Sequence, residues 1–138
     1  MGAGEDAVWP RGNMVWYWGP VLIYCIVIYV QSSYPVQVSL PNFPYEDKVL
    51  HLVGYGILGG LSCRALLATF PQWGMGRLLM VALLFTALYG ISDEIHQSFV
   101  PSRTADIFDA VADFTGGLLG AAFFYWISRK NLRKEMHP

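Results

Sequence analysis

Charge is scarce in this chain. Only 14% of its 138 residues are Asp, Glu, Lys or Arg, against roughly 25% in an ordinary soluble domain. The hydrophobic share is 54% and the mean hydropathy is +0.39. Nine basic and ten acidic side chains leave a net charge of −1. That balance excludes a nucleic-acid binder, which carries a basic patch. Cysteine is equally sparse. Cys25 and Cys63 both sit inside apolar runs, with no metal-ligand spacing between them, and read as small packing residues. No HExxH motif is present, and no A-x-A site follows the first apolar run, so a cleaved signal peptide is not expected there. The Met-Gly start has Asp6 where a myristoylation signal needs Ser or Thr. GYGILG at 54–59 matches GxGxxG by letter, yet no strand precedes it and it lies within an apolar run, so a dinucleotide site is excluded.

What the chain does contain is four apolar runs, each close to the roughly 20 residues of a bilayer span. The pattern predicts an all-α bundle of four transmembrane helices. A polar lead (1–13) precedes helices over about 14–31, 47–70, 77–97 and 105–128, and a basic tail (129–138) follows. The 14–128 stretch reads as a single domain. Pro20 is expected to kink the first helix or to sit near its first turn. The connection 31–46 holds Pro35, Pro41 and Pro44 and cannot be one helix. The tail carries Arg129, Lys130, Arg133 and Lys134, and Arg64 and Arg77 flank the turn between the second and third spans. The positive-inside rule then puts both termini in the cytoplasm, with the tail against anionic lipid. Trp9, Trp16, Trp18, Trp73 and Trp126 fall at the inner helix ends as interface anchors.

That topology gathers nearly all remaining charge on the outer side. Asp47, Lys48 and His51 begin the second helix; Asp93, Glu94, His96 and Gln97 end the third. Arg103 lies in the following loop, and Asp106, Asp109 and Asp113 begin the fourth. Asp47, His51 and Tyr55 recur at i, i+4, i+8 and share a face, as do Asp93 and Gln97 with Tyr89; the three aspartates of the fourth helix form one stripe. The uncharged part of each of these helices is only about 15 residues, roughly 22 Å at the α-helical rise, against a hydrocarbon core of roughly 30 Å. The polar ends therefore dip below the outer surface and must face one another or water. Below them, Gly56-x-x-x-Gly60 and Gly116-x-x-x-Gly120 are small-xxx-small patterns that favour close helix packing.

These elements resemble the VanZ-like family of small bacterial membrane proteins. The matching residues are Asp47-Lys48-x-x-His51 with Tyr55, Asp93-Glu94-x-x-Gln97-x-Phe99-x-Pro101-x-Arg103, and Asp106-x-x-Asp109 with Gly116, over about 45–125. One departure is Asp113, where the family usually has Asn; the added negative charge bears on ligand preference. The resemblance implies a multi-pass helical bundle in the bacterial cytoplasmic membrane. The family's founding member is associated with low-level resistance to the glycopeptide teicoplanin.

The outer set contains six acids (Asp47, Asp93, Glu94, Asp106, Asp109, Asp113) and two fixed bases (Lys48, Arg103), a sum of −4 if all are ionised. Such a cluster requires protonation, a cation or well-placed bases. Three readings follow. In the first, Asp47, His51, Asp93 and Asp109 or Asp113 ligate a divalent metal, which activates water or polarises a phosphoryl or acyl group. A metal-free variant uses His51 as general base, oriented by a carboxylate such as Asp47 or Asp93, with Glu94 as a further catalytic candidate. In the second, Lys48, Tyr55, Gln97, Arg103 and Asp106 bind an envelope precursor, a lipid-linked small molecule or part of a glycopeptide without turnover. In the third, the cluster is an ion-pair network that only locks the helices, with Arg103 pairing Asp106 or Asp109 and Lys48 pairing Asp47. Ser92, Ser98 and Ser102 read as helix-end or loop residues, Glu46 as solvated, and His96 as facing the membrane interface.

Overall fold

The computed structural model describes residues 13–34, 45–101 and 103–136, with side chains up to Lys130. The polar lead with Trp9, the proline-rich connection, Ser102 and the side chains of Arg133 and Lys134 lie outside the described residues. Four helices account for the fold: α1 (Met14–Ser32), α2 (Glu46–Thr69), α3 (Met75–Gln97) and α4 (Ile107–Met136). All four are long and apolar enough to cross a membrane. No strand occurs among the described residues. Large apolar side chains point outward from every helix, among them Trp16, Ile23, Val53, Leu88 and Phe123. A soluble monomer rarely exposes so continuous an apolar surface; a lipid-facing one does so by necessity.

The centre of the bundle is a glycine contact between α2 and α4. A methyl group placed on Gly120 would strike the carbonyl of Gly56; one on Gly116 would strike that of Leu52; one on Gly59 would strike that of Gly117. Side chains cannot be inserted at these points without separating the two backbones. Glycine disfavours a helix by about 1 kcal/mol relative to Ala, and close backbone approach is what offsets that cost in lipid. The expected GxxxG pairs thus face each other. Two further glycines extend the contact to α3: Gly117 lies against Thr86, and a Cβ on Gly90 would stand 2.7 Å from Asp113 Oδ2.

Helix α1 joins through Tyr17, Val21 and Ile28, which are buried with Tyr55, Leu58 and Ala65. Trp18 donates its indole N–H to Thr69 Oγ1 (2.9 Å), and Tyr89 donates its hydroxyl to the Cys25 carbonyl (2.6 Å). Pro20 lies inside α1. Its missing N–H frees the Trp16 carbonyl, four residues back. Arg64 of α2 donates to that carbonyl at 3.4 Å and lies over the Tyr17 ring, 5.0 Å from its centroid. The proline and the arginine are therefore one joint between α1 and α2.

The helix limits differ from the sequence reading at both ends of α4. The helix starts at Ile107, and Asp106 stands before it as its cap: its carboxylate accepts from Phe108 N (2.9 Å) and its carbonyl from Asp109 N (3.0 Å). Aspartate at this position satisfies a helix-start N–H that has no partner within the helix. At the other end α4 continues to Met136, through residues read as a separate tail. Arg, Lys, Leu and Glu are good helix formers, and no Gly or Pro intervenes before Pro138.

Candidate functional site

The polar residues meet where the end of α1, the start of α2, the end of α3 and the start of α4 come together. Three groupings make up the site.

Outermost is Lys48. Its ammonium donates to Asp106 Oδ2 at 2.8 Å and to Asp47 Oδ2 and Asp109 Oδ1 at 3.0 Å each. One cation thereby ties α2 to the cap and first turn of α4. The hydrogen bond from Lys48, helped by Phe108 N–H, holds the Asp106 carboxyl below its ordinary range. The sequence reading paired Lys48 with Asp47, as observed, but Arg103 with Asp106 or Asp109. The structure gives that role to Lys48 instead. The Arg103 guanidinium donates to the carbonyls of Tyr34 (2.9 and 3.0 Å) and Gln31 (3.3 Å). Those are carbonyls at the C-terminal end of α1, where acceptors lack intrahelical donors. Arg103 is thus a tether between the α3–α4 loop and α1.

The second grouping is deeper. His51 Nδ1 lies 2.8 Å from Asp113 Oδ1 and 3.9 Å from Glu94 Oε1. With Asp113 ionised, Nδ1 carries the hydrogen and donates it. Glu94 uses its other oxygen to accept from Asp106 N at 3.0 Å. Glu94 Oε1 and Asp113 Oδ2 are fully buried and have no hydrogen-bond partner. Ligand atoms of His51, Glu94 and Asp109 all lie within 4.8 Å of one another. These three residues come from α2, α3 and α4.

The third grouping faces α1. Asp93 Oδ2 accepts from Gln97 Nε2 (3.2 Å) and from Tyr55 OH (3.3 Å), and Gln97 also reaches Ser32 Oγ at 3.4 Å. The His51 and Tyr55 rings are parallel, 6.3 Å between centroids. Between this grouping and α1 lies a cleft of about 80 Å³, lined by Asp47, His51, Tyr55, Asp93, Gln97 and Arg103, with Tyr24, Gln31 and Ser32 on its α1 side. Space of that size holds several waters, since one needs only about 10–15 Å³ on the same measure.

The residues singled out from sequence therefore divide. Asp47, His51, Tyr55, Asp93, Gln97 and Arg103 share the cleft. Glu94, Asp109 and Asp113 stand behind it around His51, and Lys48 and Asp106 close the end. Of the aspartates named as possible metal ligands, Asp109 gathers with His51 and Glu94, whereas Asp93 is engaged by Tyr55 and Gln97. His96 turns away from the acids: Nε2 is 2.9 Å from Ser33 Oγ, and its ring lies against Tyr29. Helix α1 was not assigned to the site from sequence. The signal was there in Gln31-Ser32-Ser33, a polar run closing an apolar helix, which reads equally well as the start of a loop.

Fold and site together define a polytopic membrane protein with an acidic, histidine-containing cluster at one end of a glycine-packed bundle. The chain matches the VanZ/LLP1 family over residues 17–128 and belongs to that family. No match to a curated protein or to a solved structure was found.

Proposed function

We propose that the protein binds the polar part of an envelope-associated molecule, lipid-linked or glycopeptide-related, in the cleft between α1, α2 and α3. We place the cleft on the outer side of the bacterial cytoplasmic membrane, both termini being cytoplasmic. The positive-inside rule supports this: Arg64, Arg77, Arg129 and Lys130 all lie toward the opposite end of the helices. The observation that carries the reading is the cleft itself. It brings donors and acceptors from three helices, Gln31 and Ser32 of α1, Asp47, His51 and Tyr55 of α2, and Asp93 and Gln97 of α3, to one hollow at the end of the bundle. Such convergence suits sugar hydroxyls, amines or a phosphate head whose lipid chain lies along the apolar exterior. On this reading the protein contributes to glycopeptide resistance, teicoplanin included, by engaging the envelope target or the drug.

The His51–Asp113 pair favours a second reading, turnover of the bound molecule. An imidazole oriented by a buried carboxylate is poised as a general base. His51 would take the proton, Asp93 would be an acid facing the reacting group in the cleft, and Glu94 would act from behind His51. A helix-locking network accounts for Lys48 and for the Arg103 tether to α1. It leaves the bare oxygens of Glu94 and Asp113 without a purpose.

The test is glycopeptide susceptibility of cells expressing the protein. Wild type is expected to raise the tolerated teicoplanin concentration. Asp93→Ala and His51→Ala are expected to abolish that effect while inserting normally. If both variants protect as wild type does, the cleft is not the functional site. Incubating purified protein with a lipid-linked cell-wall precursor then separates binding from turnover.

A further inference from the structure

Behind the cleft, the grouping around His51 is electrostatically unfinished. Glu94 and Asp113 place one carboxylate oxygen each in a buried position with no hydrogen-bond donor. Their side chains are only 10% and 1% exposed. A buried carboxylate oxygen without a donor is costly, more so than a neutral group in the same place. Lys48 does not relieve it: its ammonium is already shared among Asp47, Asp106 and Asp109. His51 supplies one ring N–H, and Asp113 Oδ1 takes it.

We propose that His51, Glu94 and Asp109 hold one divalent cation at the junction of α2, α3 and α4. Asp113 is the neighbouring carboxylate. The proposal deepens the cleft reading, since His51 belongs to both places. Nδ1 is the ring atom nearest Asp113 Oδ1 (2.8 Å) and Glu94 Oε1 (3.9 Å), so the ion takes the place of the Nδ1 proton. That proton leaves to solvent as metal binds. Donor atoms around a single ion bound at about 2.0–2.2 Å lie roughly 3–4 Å apart. The mutual limit of 4.8 Å here asks for only a small inward shift. One imidazole with several carboxylates suits a borderline ion of the zinc or manganese class better than calcium or magnesium, which favour all-oxygen sites. Such an ion would take up the bare Glu94 oxygen and offset most of the negative charge of Glu94, Asp109 and Asp113 behind the cleft.

The experiment uses the full chain in detergent, free of any affinity tag and stripped with a chelator. Zn²⁺ and, separately, Mn²⁺ are titrated in, and bound metal is counted by elemental analysis after dialysis. Wild type is expected to retain one ion per chain. Glu94→Gln and Asp109→Asn, which keep side-chain volume, should weaken retention by at least about tenfold. His96→Ala should leave it unchanged, because that imidazole is occupied with Ser33 and Tyr29. Gel filtration verifies that each variant is folded. If wild type retains no metal, the proposal is overturned whatever the variants do. Equal retention by wild type, Glu94→Gln and Asp109→Asn would likewise place any bound metal elsewhere. The readout contains no envelope molecule, so a negative result removes the ion and leaves the cleft reading standing; failure of the susceptibility test does the reverse.

Discussion

The two ends of this bundle are built on opposite terms. In the middle and toward Arg64, α2 and α4 meet backbone to backbone through Gly56, Gly59, Gly116, Gly117 and Gly120, and the side chains around them (Leu58, Cys63, Leu78, Ala82, Ala121) are buried and apolar. Among the described residues, Ser62 Oγ is the single buried polar atom there without a partner. At the other end, contact is made by charges, and two carboxylate oxygens remain bare. Apart from that one hydroxyl, the first region is complete as it stands. The second is stable only because it is half solvated and partly neutralised. Where a small protein tolerates that, the reason is to be sought in what the region binds.

The contrast can be broken most forcefully in the glycine region. Gly120→Leu or Gly59→Leu should force α2 and α4 apart and destabilise the protein by about 1–3 kcal/mol or more, read as loss of folded protein in detergent unfolding. Gly76, with nothing within 4 Å of its Cβ position, is the matched control. Gly76→Ala should be neutral or slightly stabilising. A tolerated leucine at Gly120 would mean that the close contact does not exist.

At the polar end the balance between function and stability should invert. Asp93→Asn leaves a group of the same size between Tyr55 and Gln97, so it should lower stability by about 1 kcal/mol while removing the protective effect on cells. Unfolding and susceptibility are measured on the same variant. Full protection by a folded Asp93→Asn would return the cluster to a structural role.

Lys48 sharpens the comparison further. Lys48→Met removes the cation shared by three carboxylates. Because the lysine side chain is 24% exposed and Asp47 and Asp106 more so, screening limits the loss to about 1 kcal/mol. Divalent-ion retention should tighten in the same variant, since Asp109 is released to the ion.

The smallest effect concerns pH. The Asp106 carboxyl is held below its ordinary value by Lys48. A group whose folded pKa is depressed stabilises above its unfolded value, near 3.9, and that contribution is lost as pH falls through the folded value. Stability of wild type should therefore fall on acidification below about pH 4, and Asp106→Asn should flatten that part of the profile. An unchanged profile would mean that the Lys48–Asp106 contact contributes nothing.

Much of this was legible in sequence, and the boundary of legibility has a physical cause. Spacing along one helix says which residues share a face, and it brought Asp47, His51 and Tyr55 together correctly, as it did Asp93 with Gln97. It does not say how one helix is rotated against the next. Asp93 and Glu94 are neighbours about 100° apart around α3, so one meets α1 and α2 in the cleft while the other reaches His51 and the cap of α4. Only coordinates distinguish them, and so Glu94 replaces Asp93 beside Asp109. The same limit hid the choice between Lys48 and Arg103 as partner of the aspartates. Glycine patterns marked α2 and α4 for close packing without saying against which helix, whereas Gly90 carries no repeat and its role appears only once Asp113 is seen against it. Asp106 as a cap was ambiguous because a first-turn aspartate and a capping one look alike by spacing.

Access from outside the cell bears on the whole account more directly than any other observation. Asp47 lines the cleft and its side chain is 46% exposed. With Cys25 and Cys63 replaced by Ser and Ala, an Asp47→Cys variant in intact cells should react with a thiol reagent that cannot cross the membrane. Reaction only after the cells are made permeable would put the acidic hollow on the cytoplasmic side and contradict the proposal.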